Sequence, residues 1–225
     1  MWDSFVHIEP FLYCTLATFL AVIGLLCAEY KDNQSLRIFF KPIAALGFIA
    51  AALVQQPFSS AYDITVLIAL ILCAIGDMCL LPKGAGRGFL VGIGAFLLGH
   101  LGYIASFFML IIHSLWILAG IVLLPCAYFI YKWLYPDIPA QLRTPVLLYV
   151  VVITVMVAIS VGVYLANTQL FFLPIAAVLF WLSDISVARG RFKNSGFTNK
   201  LWGIPLYFIA QLLFALSIAF VRQYA

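Results

Sequence analysis

Charged side chains are scarce in this chain. Aspartate, glutamate, lysine and arginine make up 9% of its 225 residues, against 66% hydrophobic ones, whereas about a quarter of a soluble globular domain is charged. That shortage excludes a water-soluble enzyme. It also excludes nucleic-acid binding, which needs a basic face on soluble scaffolding, and a formal net charge of +4 does not supply one. Cysteine offers no framework either: Cys14, Cys27, Cys73, Cys79 and Cys126 are odd in number, lie inside apolar runs and form no CxxC pair, so neither a disulfide scaffold nor a thiolate metal site is expected. There is no HxxxH ligand pair, no GxSxG elbow and no Walker spacing, which leaves metal, serine-hydrolase and phosphate-loop chemistry without a motif. No metal and no cofactor is expected. The opening residues MWDSFVHIEP hold Asp3 and Glu9 but no Lys or Arg; they lack the basic start of a cleavable signal sequence, and the first helix is expected to stay.

What the chain does have is long apolar runs. A bilayer core about 30 Å thick takes roughly 20 residues of helix, and runs of that size fall at Pro10–Ala28, Phe39–Val54, Ala61–Leu81, Phe89–Ile111, Leu115–Leu134, Thr144–Ala166, Leu170–Ala188 and Leu201–Val221. The expected fold is therefore all-α: a single membrane domain over residues 1–225, a polytopic bundle of eight transmembrane helices. The weakest boundary is the break at His113–Ser114, where a seven-span reading would fuse two segments. Charge favours eight. The loops after spans one, three, five and seven hold Lys31, Arg37, Lys41, Lys83, Arg87, Lys132, Arg143, Arg189, Arg191, Lys193 and Lys200, leaving only Arg222 on the opposite side. By the positive-inside rule those four loops are cytoplasmic and both termini outside. The absence of an organelle signal and the compact form point to a multi-pass protein of a bacterial inner (plasma) membrane.

Two strongly apolar stretches each hold one acid: Asp77 in ILCAIGDMCLL and Asp184 in AVLFWLSDISVA. A carboxylate at membrane depth is costly and marks a functional site by default. Each falls near the cytoplasmic end of the third span of its half, and each half carries a polar residue deep in its fourth span, His100 and Gln211. That echo suggests a 4+4 pseudo-repeat about an axis along the membrane normal. Counted from the span ends at 1.5 Å per residue, both acids lie roughly 6 Å below the boundary, whereas His100 and Gln211 lie roughly 16 Å down and need a tilted or broken helix, or a water, to meet them. Lys41, before Pro42, opens span two near the acid layer and fits either a snorkelling anchor or a ligand-binding cation. The acids also fit structural ion pairs with Lys41 and the loop arginines. His100 equally fits a hydrogen bond to a neighbouring helix, and Tyr103, one turn further on the same face, fits packing. The turn LPKGAGRG reads as a flexible connection whose Lys83 and Arg87 lie where a lipid phosphate would sit.

Taken in order, Phe40-Lys41-Pro42, Gly76-Asp77, FLLGHLGYIASF with His100 and Tyr103, FWLSDISVA with Ser183-Asp184, and PLYFIAQLLFALS with Tyr207 and Gln211 resemble the YhhN family of eight-span membrane proteins, whose characterised members are lysoplasmalogenases. The resemblance covers nearly the whole chain. It implies hydrolysis of the sn-1 vinyl ether of a lysoplasmalogen, releasing a fatty aldehyde and glycerophosphoethanolamine or glycerophosphocholine, with a lysophospholipid substrate and membrane lipids as partners. Vinyl ethers hydrolyse by proton transfer to carbon and capture of the oxocarbenium ion by water, a task for paired carboxylates as in glycosidases. Asp77 and Asp184 are expected to share it. Lys41, with Arg87 and Arg191 as further candidates, would hold the phosphate; Tyr207 or Gln211 would orient water or the glycerol hydroxyl; His100 and Tyr103 would line the pocket. The alternative is a proton- or cation-coupled transporter or a lipid-binding module with the two halves rocking about the acids.

Overall fold

A computed structural model describes residues 8–81, 87–193 and 196–224, with the backbone but not the side chain of Arg87. It contains eight helices long and apolar enough to cross a membrane: α1 (Ile8–Tyr30), α2 (Gln34–Leu53), α3 (Ala61–Cys79), α4 (Arg87–Phe107), α5 (Trp116–Leu134), α6 (Arg143–Ala166), α7 (Phe172–Phe192) and α8 (Phe197–Tyr224). The all-α, eight-span expectation holds, and the chain is a multi-pass membrane protein. Helices suit hydrocarbon because each satisfies its own backbone hydrogen bonds. Where the chain re-enters, side chains cap the free amides: Asn33 Oδ1 accepts from Leu36 N at 3.1 Å and Ser60 Oγ from Asp63 N at 3.2 Å. The break at His113 is a true loop, tied down by a hydrogen bond from His113 N to Gly162 O at 3.0 Å.

Several helices outrun their apolar segments. α2 begins at Gln34 rather than Phe39, α7 continues to Phe192 rather than stopping at Ala188, and α8 begins at Phe197 rather than Leu201. Hydropathy marks the part of a helix that suits lipid. It is blind to the polar turns beyond, such as the last turn of α7, where Arg189 and Arg191 complement the helix C-terminus.

The packing repeats between halves. α1 lies on α2 as α5 lies on α6, α3 on α4 as α7 on α8, and α2 against α8 as α6 against α4. When His100 is laid over Gln211, Tyr103 falls on Phe214 and Phe96 on Tyr207. The rings of Tyr103 and Phe214 stack at 4.0 Å, and those of Phe96 and Tyr207 meet edge-on at 5.9 Å. Equivalent side chains meeting each other is what an internal two-fold produces at its axis. Small residues bring the backbones together: a Cβ on Gly76 would lie 2.6 Å from the Phe96 ring, and one on Gly99 2.7 Å from Cys73 Sγ.

The end of the bundle farther from the acids is locked by Arg222, which donates from Nη2 to Asp63 Oδ2 at 2.9 Å and to the carbonyls of Gln55 and Gln56 at 2.9 and 2.7 Å. Asp63 is fully buried. Arg222→Ala strands that carboxylate and is expected to cost about 3 kcal/mol, read as a lowered melting temperature in detergent, with Arg222→Lys recovering part of the loss.

Candidate functional site

Asp77 sits in the last turn of α3, where Gly76 lets α4 approach from one side and leaves the carboxylate facing α2 and α8. Lys41 Nζ lies 3.1 Å from Oδ1, and the Tyr207 hydroxyl donates to Oδ2 at 2.7 Å. Asp184, in α7, has a different pair of partners. The Tyr149 hydroxyl of α6 donates to its Oδ2 at 2.7 Å, and His100 Nε2 of α4 stands 3.4 Å from the same oxygen. That contact is an approach rather than a hydrogen bond, since the buried Nε2 makes none. The other ring nitrogen, Nδ1, is 2.6 Å from Phe96 O, and the imidazole is held against Phe180 with ring centroids 4.4 Å apart.

The expected depths need correcting here. His100 meets Asp184 in a straight helix, with no break and no bridging water required. Counting residues from the ends of the apolar runs set the two on different levels, yet the side chains meet, and α7 itself runs to Phe192, eight residues beyond Asp184. Tyr103 and Gln211 are brought to each other: the Tyr103 hydroxyl donates to Gln211 Oε1 at 2.7 Å, fully buried. Neither reaches the space around the acids. Lys83 and the side chain of Arg87 lie outside the described residues.

That space is a cavity of about 630 Å³ opening at the α1–α2 and α7–α8 ends of the bundle. Its inner wall carries Asp77, Lys41, Tyr207, Asp184 and Phe96; its outer part carries Glu29, Asp32, Arg37 and Lys200. A second, apolar slot of about 80 Å³ runs between α4, α5, α6 and α7, walled by Phe89, Ile93, Ile130, Leu134, Val146, Val150 and Ile153. The two meet along Leu80, Phe96, Asp184, Val187 and Arg191, which line both. The Arg191 guanidinium lies 4.3 Å above the Phe89 ring. Asp184 is thus the one carboxylate that lines both a charged chamber and a hydrocarbon-walled slot, and polar and apolar walls on either side of an acid suit an amphiphilic ligand.

Sequence reasoning missed Tyr149 and the outer charges. Tyr149 is the lone hydroxyl in the run VLLYVVV, and its signal was its place on the second helix of its half, the counterpart of α2 with Lys41.

Comparison with known proteins follows the same line. The model of the YhhN family matches residues 36–218. Proteins named lysoplasmalogenase from Mycobacterium bovis and Mycobacterium tuberculosis are each 28% identical to this chain over 204 residues, covering 87% of it and 75% of the relative. No solved structure matches.

Proposed function

This chain belongs to the YhhN family, and from that premise we propose that it is a membrane hydrolase of a single eight-span domain that cleaves the sn-1 vinyl ether of lysoplasmalogens. In this reading it lies in a bacterial inner membrane with its basic loops and the cavity mouth facing the cytoplasm. The observation that carries the proposal is that Asp184 lines both the charged cavity and the apolar slot. A single-chain phospholipid has its phosphate at the interface and its first chain linkage a few ångströms deeper, which sets the vinyl ether at that junction.

The proton logic follows from the partners. Phe96 O only accepts, so His100 Nδ1 carries a hydrogen and Nε2 is the nitrogen left to face Asp184. A bare Nε2 lone pair against a carboxylate oxygen would set two acceptors together in a buried site, so the pair holds one proton, on Nε2 or on Oδ2. That proton is the one the reaction needs. Asp184 delivers it to the vinyl carbon distal to the ether oxygen: a C–H bond forms, the π pair is consumed and an oxocarbenium ion develops at the adjacent carbon. His100 acts through Asp184, holding and resupplying the proton. Asp77, paired with Lys41 and Tyr207, is the carboxylate that stabilises the cation and takes a proton from the water attacking it. The hemiacetal then collapses: Asp77 returns to the glycerol oxygen the proton it took from water as the carbon–oxygen bond to glycerol breaks, the hemiacetal hydroxyl gives its proton to Asp184, and fatty aldehyde leaves with both acids restored. Lys41 stands between Asp77 and the substrate phosphate, and Arg191 faces the same region from α7.

Purified protein in detergent is expected to release fatty aldehyde from a 1-alkenyl lysolipid; a transporter, which needs two compartments, would release none. The slot gives a further expectation. Val150→Trp narrows it from α6, and KM is expected to rise about tenfold for a long-chain substrate, the scale of losing a few buried methylenes, with little change for a short-chain one. Equal effects on both would remove the slot from tail binding.

A further inference from the structure

The two acids are held by matching helices with different side chains. Asp77, on the third helix of the first half (α1–α4), takes Lys41 from α2, the second helix of its own half, and Tyr207 from α8, the fourth helix of the other half. Asp184, on the third helix of the second half (α5–α8), takes Tyr149 from α6, again the second helix of its own half, and His100 from α4, again the fourth helix of the other. The supplying helices correspond one for one, but the chemistry does not. Where the first half sets an ammonium 3.1 Å from its acid, the second sets a phenol hydroxyl 2.7 Å from its own.

That difference changes what each acid can hold. An ammonium in contact with a carboxyl group favours the charged form, and more strongly where little water screens the pair. A phenol hydroxyl donates a hydrogen bond to either form and brings no charge. Among the described residues no lysine or arginine pairs with Asp184; its partners are the Tyr149 hydroxyl and the His100 ring. Tyr149 touches both, because its ring also stands edge-on to the imidazole with centroids 5.1 Å apart. An uncharged donor at this place orients the carboxyl group while leaving the Asp184–His100 pair its proton. A cation at the same place would displace it.

We propose that Tyr149 is a positioning residue that fixes the role of Asp184: as the uncharged counterpart of Lys41, it leaves the site's proton with the Asp184–His100 pair, while Lys41 keeps Asp77 a carboxylate. One scaffold used twice thereby yields an acid and a base, the division being made by the side chain that the second helix of each half presents. The consequence for turnover rests on the hydrolase reading; the placement of the proton does not.

The test uses the full-length protein in detergent and two readouts. The first follows the proton with no substrate present. It shows either as the infrared carbonyl stretch of a protonated carboxyl that Asp184→Asn abolishes, or as the ring-nitrogen resonances of a protonated imidazole that His100→Gln abolishes. One of these is expected in wild-type protein and in Tyr149→Gln, whose amide is an uncharged donor, and neither in Tyr149→Lys. The second readout is aldehyde release from a 1-alkenyl lysolipid. Tyr149→Lys is expected to lower kcat at least about a hundredfold with little change in KM, the low end for losing a general acid, whereas Tyr149→Gln stays within about tenfold of wild type, the scale of one hydrogen bond. A side chain that serves packing alone would not separate the two variants in this way. Should Tyr149→Lys fail to fold, Lys41→Gln applies the same test to the other half: loss of the ammonium is expected to add a protonated-carboxyl signal that a further Asp77→Asn change abolishes. Wild-type protein with neither proton signal, a Tyr149→Lys protein that keeps the proton or the wild-type kcat, or a Lys41→Gln protein without the added signal would overturn the proposal. Proton signals in the expected order from a protein that releases no aldehyde would count against the hydrolase reading and leave the division between Tyr149 and Lys41 standing.

Discussion

Replacing Asp184 by Asn is expected to leave a protein that inserts and folds but turns over a 1-alkenyl lysolipid at least about a hundredfold more slowly, the low end for removing a general acid. The substitution keeps an oxygen for the Tyr149 hydroxyl to meet at the position of Oδ2, so the fold loses little. In the proposed mechanism it removes the group that carries the proton to carbon. Asp77→Asn is expected to cost as much in turnover for a different reason: Lys41 loses the carboxylate 3.1 Å away, and in the same mechanism the cation at the reacting carbon loses its counter-charge. Initial rates with matched protein from both variants, alongside melting temperatures, separate lost chemistry from lost folding. Either variant retaining wild-type turnover would remove that acid from the reaction.

His100→Gln is expected to lower kcat by roughly ten- to a hundredfold with little change in KM, since His100 touches Asp184 and not the cavity. A purely structural role would lower stability and raise KM along with lowering kcat, so the split between kcat and KM, read beside the melting temperature, is the informative readout. A variant that keeps the wild-type kcat, or whose loss in kcat comes with a matching loss of stability and a raised KM, would contradict the role.

The parts of this site that were legible in the sequence are those where a residue type contradicts its surroundings. Asp77 and Asp184 stand out because each is the one charge in a strongly apolar stretch, ILCAIGDMCLL and AVLFWLSDISVA, and Lys41 and Tyr207 both contact Asp77. His100 stands out for the same reason, but its partner does not, because residue counts along single helices do not say which side chains of two packed helices face each other. Tyr149 was missed because a tyrosine among valines and leucines reads as packing until a carboxylate is found beside it. Tyr103 and Gln211 were placed in the pocket, as polar residues on the right helices. The structure instead pairs them with each other, a contact between α4 and α8 that neither half alone reveals. Glu29, Arg37 and Lys200 were invisible for the opposite reason. Charge at helix ends is ordinary in membrane proteins, where Lys and Arg set the orientation, so an ion-paired group of such residues gives no separate signal in one dimension.

The most direct test of a proton delivered from Asp184 to carbon is the hydrolysis of a 1-alkenyl lysolipid in heavy water by wild-type protein and by Asp184→Asn, with the aldehyde trapped as it forms. The account expects wild-type aldehyde to carry one deuterium on the carbon next to the carbonyl, and the variant to form almost none of that product. Wild-type protein that releases no aldehyde, or an Asp184→Asn variant that makes the deuterated aldehyde at the wild-type rate, would contradict it.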